Sequence, residues 1–225
     1  MSKVSLVGMT KPSAATGCET ANQLIAYAAR VSNPGNQNND KTAPKLLRYL
    51  IENDHWSPFE MVSVTMEIVT TRDISRQIIR HRSFSFQEFS QRYAESTEFT
   101  VRECRYQDNK NRQNSVEIDT TNPAERELAE IWRMKQHHVL RTSTDAYNWA
   151  LNNGIAKEQA RAVLPEGNTE TTLYMAGTLR SWLHYCQLRM ANGTQKEHME
   201  VAKKCWDVLG THFPDVIEAC EWLDK

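Results

Sequence analysis

The sequence has no surplus of either charge, no long apolar run and no secretory leader pattern. Its 225 residues carry 27 Lys and Arg against 28 Asp and Glu, a formal net charge of -1. Such a chain lacks the overall positive charge that attracts nucleic acid, so any recognition of anions must come from a local cluster. No apolar run approaches the roughly 20 residues that span a bilayer, and the first residues, MSKVSLVGMTKPS, lack a long apolar segment. We expect no nucleic-acid partner, no membrane association and a cytoplasmic location, in the cytoplasm of an infected host if the source is viral.

Paired cysteine spacings are also absent. The cysteines are odd in number and scattered, at Cys18, Cys104, Cys186, Cys205 and Cys220. No pair has the Cys-x-x-Cys spacing of a zinc site, and no histidine has a metal-spaced companion. We expect reduced thiols, no bound metal, and structural roles for His137, His138, His198 and His212.

Apolar periodicity predicts a helix-rich α+β chain with few strands. Residues 4–7 predict a first strand, and residues 61–71, MVSVTMEIVTT, alternate as the clearest strand in the chain. Helices are predicted over residues 19–31, from 42, from 72, and over 122–152, 157–163, 171–191, 195–209 and 214–223. In the longest helix the expected core residues are Leu128, Ile131, Trp132, Val139, Ala146 and Trp149. We expect one domain over residues 1–225, with residues 96–123 as a polar surface excursion, and no doubly wound parallel sheet.

The stretch RHRSFSFQEFSQRY concentrates positive charge. Arg80-His81-Arg82 ends an apolar segment, and five arginines lie between residues 72 and 92 against Asp73 and Glu88. Consecutive side chains at a helix end point in different directions, and guanidinium groups bind phosphate oxygens through two hydrogen bonds at any working pH. On spacing alone, an anion clamp and a solvated basic helix end have equal weight.

Other candidates are ambiguous by themselves. A lone His55 before a Trp-Ser-Pro turn is more often structural than functional. Arg180 and Arg189 are nine residues apart and do not share a helix face, whereas His184 lies four residues after Arg180 and does. Together with Arg161, which stands in an apolar setting, these arginines could equally be helix-surface charges.

Several sequence blocks in one order point to a known family. The spacing of RHR, seven residues, Ser90 and then Gln91-Arg92-Tyr93 resembles the signature of the flavin-dependent thymidylate synthases. Upstream, HWSPFE and SRQIIRHR resemble the family's His-x-(Ser/Thr)-Pro-Phe-Glu turn and Arg-Gln-x-x-Arg-His-Arg helix. Downstream, QARAVLP and LRSWLHYCQLR resemble its Ala-Arg-x-x-Leu-Pro and Arg-Ser-x-x-x-(Phe/Tyr)-x-x-x-Arg segments. The resemblance extends from about residue 53 to residue 189.

The resemblance implies a fold, a reaction and an assembly. The fold would be a helix-rich α+β domain with a small, mainly antiparallel sheet. The reaction would be the reductive methylation of dUMP to dTMP, with FAD as cofactor, 5,10-methylenetetrahydrofolate as carbon donor and NADPH as reductant. The flavin N5 hydride would go to the uracil ring, and the protein would supply alignment and electrostatics. The assembly would be a homotetramer with active sites shared between subunits.

The family pattern also implies site residues. The FAD contacts would be His55, Ser57, Arg80, His81, Arg82, Glu88, Thr178, Leu179, Arg180 and His184. The dUMP contacts would be Gln77, Arg80, Glu88, Phe89, Ser90, Gln91, Arg92, Arg161 and Arg189. Arg189 would face the uracil N3/O4 edge as the catalytic residue, stabilising negative charge as the ring is activated. Thr178 and His184 depart from the residues common in relatives, and residues 96–123 have no counterpart that we can align.

We expect no enzyme nucleophile. Ser90 lacks an adjacent base, which a serine nucleophile normally needs, and Cys186 is the one cysteine worth testing. Two other readings stay open: a nucleotide or nucleic-acid-binding module that uses the arginines without catalysis, and an FAD-binding relative that has lost thymidylate synthesis.

Overall fold

The computed structural model describes residues 2–96 and 98–220, and an antiparallel sheet lies at its centre. The strands are β1 Lys3–Met9, β2 Ser63–Thr71, β3 Ser85–Glu88, β4 Arg105–Gln107, β5 Ser115–Glu117 and β6 Glu170–Thr178. Four of them form one sheet in the order β1-β2-β6-β3, in which every neighbouring pair is antiparallel. The expected small antiparallel sheet in a helix-rich α+β fold is confirmed.

Among the described residues, eight α-helices lie between and after the strands. They are α1 Ala21–Ala29, α2 Ala43–Glu52, α3 Arg72–Ile78, α4 Pro123–Asn152, α5 Lys157–Ala160, α6 Leu179–Met190, α7 Lys196–His212 and α8 Pro214–Ala219. Local signals set several starts: Thr20 and Gln23 form a capping box at α1, and the Asn122 side chain caps α4. The helix expected over residues 214–223 ends at Ala219, and residues 221–223 lie outside the described residues. No helix among the described residues is both long and apolar enough to cross a membrane.

Strand β6 corrects the helix expected over residues 171–191. Residues 170–178 form the strand, and α6 begins only at Leu179. The strand lies between β2 and β3, and its alternating side chains Thr171, Leu173 and Met175 are buried. Leu and Met also favour helices, so hydrogen bonding to two neighbouring strands overrides a weak local preference.

Short strands and a 3-10 turn form in stretches whose sequence shows no clear helical or strand periodicity. Strand β3, which lies inside the RHRSFSFQEFSQRY stretch, was not predicted. The stretch expected as a polar surface excursion, residues 96–123, contains a two-stranded hairpin, β4–β5. The HWSPFE stretch contains no α-helix, as expected, but Ser57–Met61 forms a 3-10 turn with Pro58 in its first turn.

The buried face of β2 forms the floor of the hydrophobic core. Val64, Met66 and Ile68 are essentially inaccessible to solvent, which confirms the alternation expected for this strand. Trp182 of α6 is fully buried and donates its indole N–H to the Val64 carbonyl at 3.0 Å. Because this bond satisfies the indole, the largest side chain of the core can be buried without an unpaired donor.

Helix α4 corrects a second expectation. Five of its expected core residues are exposed on the chain, namely Leu128, Ile131, Trp132, Val139 and Trp149, and the exposed fraction of Trp149 reaches 63%. Its buried residues are Gln136, Leu140, Tyr147 and Ala150. The helix therefore leaves a row of large apolar side chains substantially exposed to solvent.

Gly177 on β6 provides a test of the packing behind the Arg80-His81-Arg82 turn. A Cβ atom at this position would lie 2.7 Å from Cε1 of Phe84 and closer still to Cδ1. Phe84 is packed against Trp182, with ring centroids 4.9 Å apart, and so has little room to move. We expect Gly177→Ala to lower the free energy of unfolding by about 1–3 kcal/mol, measured by urea denaturation.

Gly167→Ala is the matched control. No atom lies within 4 Å of the position that its Cβ would take. We expect a change within about 0.5 kcal/mol, the usual range for a surface substitution. Equal losses in the two variants would show that Phe84 does not restrict residue 177.

Candidate active site

The Arg80-His81-Arg82 turn follows directly on helix α3. The His81 backbone N–H donates to the Ile78 carbonyl at 3.0 Å, and the Phe84 N–H donates to the His81 carbonyl at 3.3 Å. In the turn that these bonds close, Arg80 and Arg82 are exposed and His81 is half-buried. The three neighbouring side chains therefore face different surroundings.

His81 meets Arg189, the expected catalytic residue on α6. The Arg189 Nε–H donates to His81 Nε2 at 2.8 Å. Because a guanidinium can only donate, Nε2 must carry the lone pair and the imidazole is neutral. Burial and the charge of Arg189 lower the pKa of His81 to about 4. The bond thus holds the guanidinium in a set orientation while leaving its positive charge without a carboxylate at this contact.

An arginine-lined cavity of about 430 Å³ lies beside α3. Its lining includes Arg72, Arg76, Gln91 and Arg161, together with Glu158, Ala162, Leu164 and Glu166. Two buried donors here, Arg72 Nη1 and Gln91 Nε2, have no hydrogen-bond partner among the described residues. Buried donors are normally paired, so this cavity has the donors and the charge to bind an anionic oxygen ligand.

Glu88, an expected ligand contact, is bound by its own chain. Its Oε1 accepts hydrogen bonds from Ser75 Oγ at 2.9 Å and Thr171 Oγ1 at 3.0 Å. Its Oε2 accepts from Arg76 Nη1 at 3.0 Å, and Arg72 Nη1 lies 3.8 Å from Oε1. The carboxylate therefore joins α3 to β6 and balances the charge of two arginines.

Two exposed carboxylates pair with arginines around the same cavity. Glu166 Oε1 lies 3.0 Å from Arg76 Nε and 4.0 Å from Arg72 Nε, and Glu158 Oε2 lies 3.2 Å from Arg92 Nε. Exposed ion pairs of this kind contribute at most about 1 kcal/mol. A phosphate group could therefore displace them at small cost.

A third group of expected residues lies where the 3-10 turn Ser57–Met61 meets the start of α6. His184 is half-buried and packs edge-on against Trp56, with ring centroids 4.7 Å apart. Arg180 forms an ion pair with Glu60 of the turn. Burial, followed by the charge of Arg180, lowers the pKa of His184. His55 is exposed one residue before Trp56.

The remaining residues of this group differ in what they can offer a ligand. Ser57 is exposed at the start of the 3-10 turn. Thr178 caps α6, accepting from the Ser181 N–H at 3.3 Å. The Leu179 side chain is fully buried, and its backbone N–H donates to the Val62 carbonyl at 2.8 Å. Any contact of Leu179 with a ligand is therefore limited to its backbone carbonyl.

The loop after β3 presents the expected substrate contacts differently. Phe89 is exposed, and the Ser90 carbonyl accepts from the N–H groups of Tyr93 and Ala94 at 3.1 and 3.2 Å. The Ser90 hydroxyl accepts from the Arg92 N–H at 3.4 Å. This turn directs Gln91 inward toward the arginine-lined cavity and leaves Arg92 at the surface.

Within one chain the expected residues thus form three groups. Gln77 and His81 both lie beside His198 of α7, and His81 binds Arg189 of α6. Glu88, Gln91 and Arg161 lie at the arginine-lined cavity, and His55, Ser57, Arg180 and His184 lie at the 3-10 turn. Sequence reasoning missed Arg72, Arg76, Glu158 and Glu166 as part of the cavity. The spacing of Arg72 and Arg76, four residues apart on one helix face, was a usable signal, but the carboxylates had none.

Cys186 does not suit a nucleophile. Its side chain is fully buried, and its thiol lies 3.7 Å from the Ala202 carbonyl. Burial, with the neighbouring thiols of Cys205 and Cys220, raises the pKa of Cys186 well above its ordinary value. Since the thiolate is the reactive form, this thiol is chemically inert at working pH.

Comparisons with known proteins agree with one another. Residues 15–215 match the family model described as thymidylate synthase complementing protein. The chain is 48% identical over 219 residues to a probable flavin-dependent thymidylate synthase of Paramecium bursaria Chlorella virus 1, covering 97% of this chain and 98% of the relative. It is 47% identical over 221 residues to the flavin-dependent thymidylate synthase of Synechocystis sp., covering 97% and 99%. The UMP/dUMP methylase PolB from Streptomyces cacaoi, solved with 5-Br dUMP, superposes with a TM-score of 0.80 at 26% identity, covering 97% of this chain and 94% of that chain.

The buried histidines predict a pH dependence of stability. Burial is also the main cause that lowers the pKa of His198, to about 3, with smaller contributions from Arg189 and His81. In the unfolded chain, His81 and His198 take up protons as the pH falls through 6.5. In the folded chain neither imidazole does so until the pH reaches about 4. We therefore expect the free energy of unfolding, measured in urea, to fall as the pH is lowered from 6.5 to 5.

Two variants separate this effect from general acid sensitivity. His198→Asn removes one of the two groups and should reduce the slope of stability against pH. His137→Asn, at an exposed position on α4, should leave the slope unchanged. An unaltered slope in His198→Asn would contradict the assignment.

Proposed function

Because this chain belongs to the family of flavin-dependent thymidylate synthases, we propose that it converts dUMP to dTMP. Bound FAD would be the cofactor, 5,10-methylenetetrahydrofolate the carbon donor and NADPH the reductant. The near-complete coverage of the named relatives supports an enzyme of this kind rather than a binding module. An FAD-binding relative without synthase activity is disfavoured because Gln77, Arg92, Arg161 and Arg189 are all present.

The observation that carries the proposal is the arginine-lined cavity, where two buried donors have no hydrogen-bond partner among the described residues. The phosphate of dUMP is a dianion, and guanidinium groups and amide N–H groups bind its oxygens well. We assign the phosphate to Arg161, Gln91, Arg92 and the Ser90 loop, with Arg72 and Arg76 as additional cations. The 5-Br dUMP bound to PolB supports a pyrimidine nucleotide as the ligand of this fold.

The base end of dUMP is assigned to the group around α6. Arg189 would face the N3/O4 edge of uracil, with Gln77 and Arg80 as further contacts. Because His81 holds the Arg189 guanidinium by one hydrogen bond, the cation needs little rearrangement when negative charge develops on the ring. A preorganised charge of this kind is usually the largest electrostatic contribution to catalysis.

The residues at the 3-10 turn and at the Arg80-His81-Arg82 turn fit a flavin. The exposed cations Arg80 and Arg82, with the half-buried Arg180, suit the pyrophosphate, and His55 and His184 offer aromatic rings beside Trp56. Ser57, Thr178, the Leu179 carbonyl and the Glu88 region would complete the FAD contacts. When bound, the reduced flavin supplies the hydride that the uracil ring receives, and this chain holds and orients both groups.

We further propose that no side chain forms a covalent bond to the nucleotide. The Ser90 hydroxyl accepts from the Arg92 N–H, and no base accepts its proton among the contacts of the described residues. Cys186 is buried in the core. Ser90 would therefore act as a hydrogen-bond partner of the phosphate or the ring.

A homotetramer with shared active sites, located in the cytoplasm, completes the proposal. In such an assembly, residues from different subunits would combine to form each active site. The row of exposed apolar residues on α4 supports burial against another subunit.

A spectrum of the purified protein is the first test. We expect the yellow absorbance of a flavin, bleaching on addition of NADPH, and reoxidation that depends on both dUMP and methylenetetrahydrofolate. A colourless protein that binds nucleotides would favour a binding module. A yellow protein that never forms dTMP would indicate a relative that has lost the reaction.

Arg189→Ala tests the catalytic assignment. We expect a loss of turnover of about 100-fold or more, the size typical of removing a charge aimed at the reacting centre. Some FAD should stay bound, as measured by the flavin absorbance per chain. Arg126→Ala, on the exposed face of α4, is the control and should retain full activity. Near-normal dTMP formation by Arg189→Ala would exclude the role.

Glu166→Gln tests the cavity. Removing the carboxylate that pairs with Arg76 leaves the cavity more positive, so dUMP should bind about two to five times more tightly at low salt. The gain should shrink as salt is added, because the pair is exposed. Glu130→Gln removes a carboxylate paired with Arg133 on α4 and should not change dUMP affinity. Unchanged affinity in Glu166→Gln would place the phosphate elsewhere.

A further inference from the structure

A continuous chain of hydrogen bonds runs from α6 through α3 to the start of α7. Tyr185 Oη lies 3.1 Å from His198 Nε2, and His198 Nδ1 lies 3.4 Å from Gln77 Oε1. Gln77 Nε2 donates to Gln195 Oε1 at 2.7 Å, and Gln195 Nε2 donates to Glu197 Oε2 at 2.9 Å. We refer to these five residues as the Gln77 chain.

The carboxylate at one end determines the direction of every bond. Glu197 can only accept, so Gln195 must turn its amide N–H toward it and its carbonyl toward Gln77. Gln77 must then present its own N–H to Gln195 and its carbonyl to His198. The Nδ1 of His198 therefore carries the proton, and its Nε2 accepts from the Tyr185 hydroxyl.

Glu197 is held as an anion by residues from the 96–123 segment. Its Oε1 pairs with Arg105 and lies 3.6 Å from Arg102 Nη1. Burial by itself would raise the pKa of Glu197, but hydrogen bonds from its own backbone N–H and from Gln195, with the charges of Arg102 and Arg105, lower it. Lys196 ties the same segment to α7 through Glu103 and Glu117, at 2.7 Å each. The polar excursion thus anchors the outer end of the Gln77 chain.

His198 binds the Gln77 carbonyl, on the side of the amide opposite to Gln195. Its side chain is fully buried, and its ring lies 6.4 Å from that of His81, the partner of Arg189. A neutral imidazole with one N–H and one lone pair, both engaged, has no reason to rotate. After its two bonds within the Gln77 chain, the Gln77 amide keeps one N–H and one lone pair for a ligand.

We propose that His198 and Glu197 are positioning residues that hold the Gln77 amide in one orientation for the nucleotide. The 96–123 segment serves as the anchor of that arrangement. The inference rests on the proposed function, because it takes Gln77 to be a dUMP contact. Without these bonds the Gln77 amide would lose its fixed orientation, and its flipped form would present the wrong groups to the nucleotide and weaken binding.

The two amide replacements of His198 form a matched pair. The Asn side-chain nitrogen can take the place of Nδ1, so His198→Asn keeps the bond to Gln77 and loses the one to Tyr185. The longer Gln reaches the place of Nε2, so His198→Gln keeps Tyr185 and loses Gln77. A merely structural role predicts similar effects of both, since each introduces an amide into the same buried space.

The experiment measures the KM and Kd of dUMP, kcat, FAD content and melting temperature on the FAD-loaded enzyme. We expect His198→Gln to raise the KM and Kd of dUMP about tenfold, the size of one lost buried hydrogen bond. FAD content should be unchanged, and kcat should change less than KM. His198→Asn and Tyr185→Phe should stay within about twofold of the wild type for dUMP.

Glu197→Gln tests the other end of the Gln77 chain without altering the space around His198. Because an amide can donate as well as accept, it removes the constraint on direction, and we expect a similar rise in KM. In a Gln77→Ala background, His198→Gln and Glu197→Gln should have no further effect on dUMP, since the group that they orient is gone.

Two outcomes would overturn the inference while leaving the function in place. One is equal changes in dUMP affinity for His198→Asn and His198→Gln, and the other is a full effect of His198→Gln in the Gln77→Ala background. If the wild-type enzyme itself fails to bind dUMP, the proposed function fails first. Measuring dUMP binding by the wild-type enzyme thus separates a failure of this inference from a failure of the proposed function.

Discussion

The carboxylate of Glu88 is the interaction on which the arrangement of the site depends. It accepts from Ser75 on α3 and from Thr171 on β6, so it fixes the helix against the central strand of the sheet. It also balances Arg76 and lies near Arg72. Without such a counter-charge, two arginines beside a partly buried cavity would repel each other and lose hydration. These contacts of Glu88 therefore set the position of the cavity and of the turn that follows α3.

Sequence reasoning succeeded where the physical signal was local. The alternation of β2 and the divergent side chains of the Arg80-His81-Arg82 turn both follow from neighbouring residues. It failed where partners decide the structure. Strand β6 contains helix-forming Leu173 and Met175, and only its place between two strands makes it extended.

The proposed site residues show the same contrast between local sequence signals and contacts with distant residues. Motif blocks predicted Gln91, Arg161 and Arg189, but they did not predict a part for Glu166 or His198, which contact residues far away in the chain. A lone histidine in a sequence has no period and no companion. Its role becomes visible only when the neighbours on both ring nitrogens are known.

The exposed apolar side chains of α4 would make the stability of the protein depend on its concentration. In the proposed tetramer, contact with another subunit would remove Trp132 and Trp149 from water, and that free energy would be gained only on association. Assembly would then add to the stability of the folded chain, and the melting temperature would rise with protein concentration. Dilution alone could inactivate such an enzyme, because the separated chain keeps its core while its divided site no longer comes together.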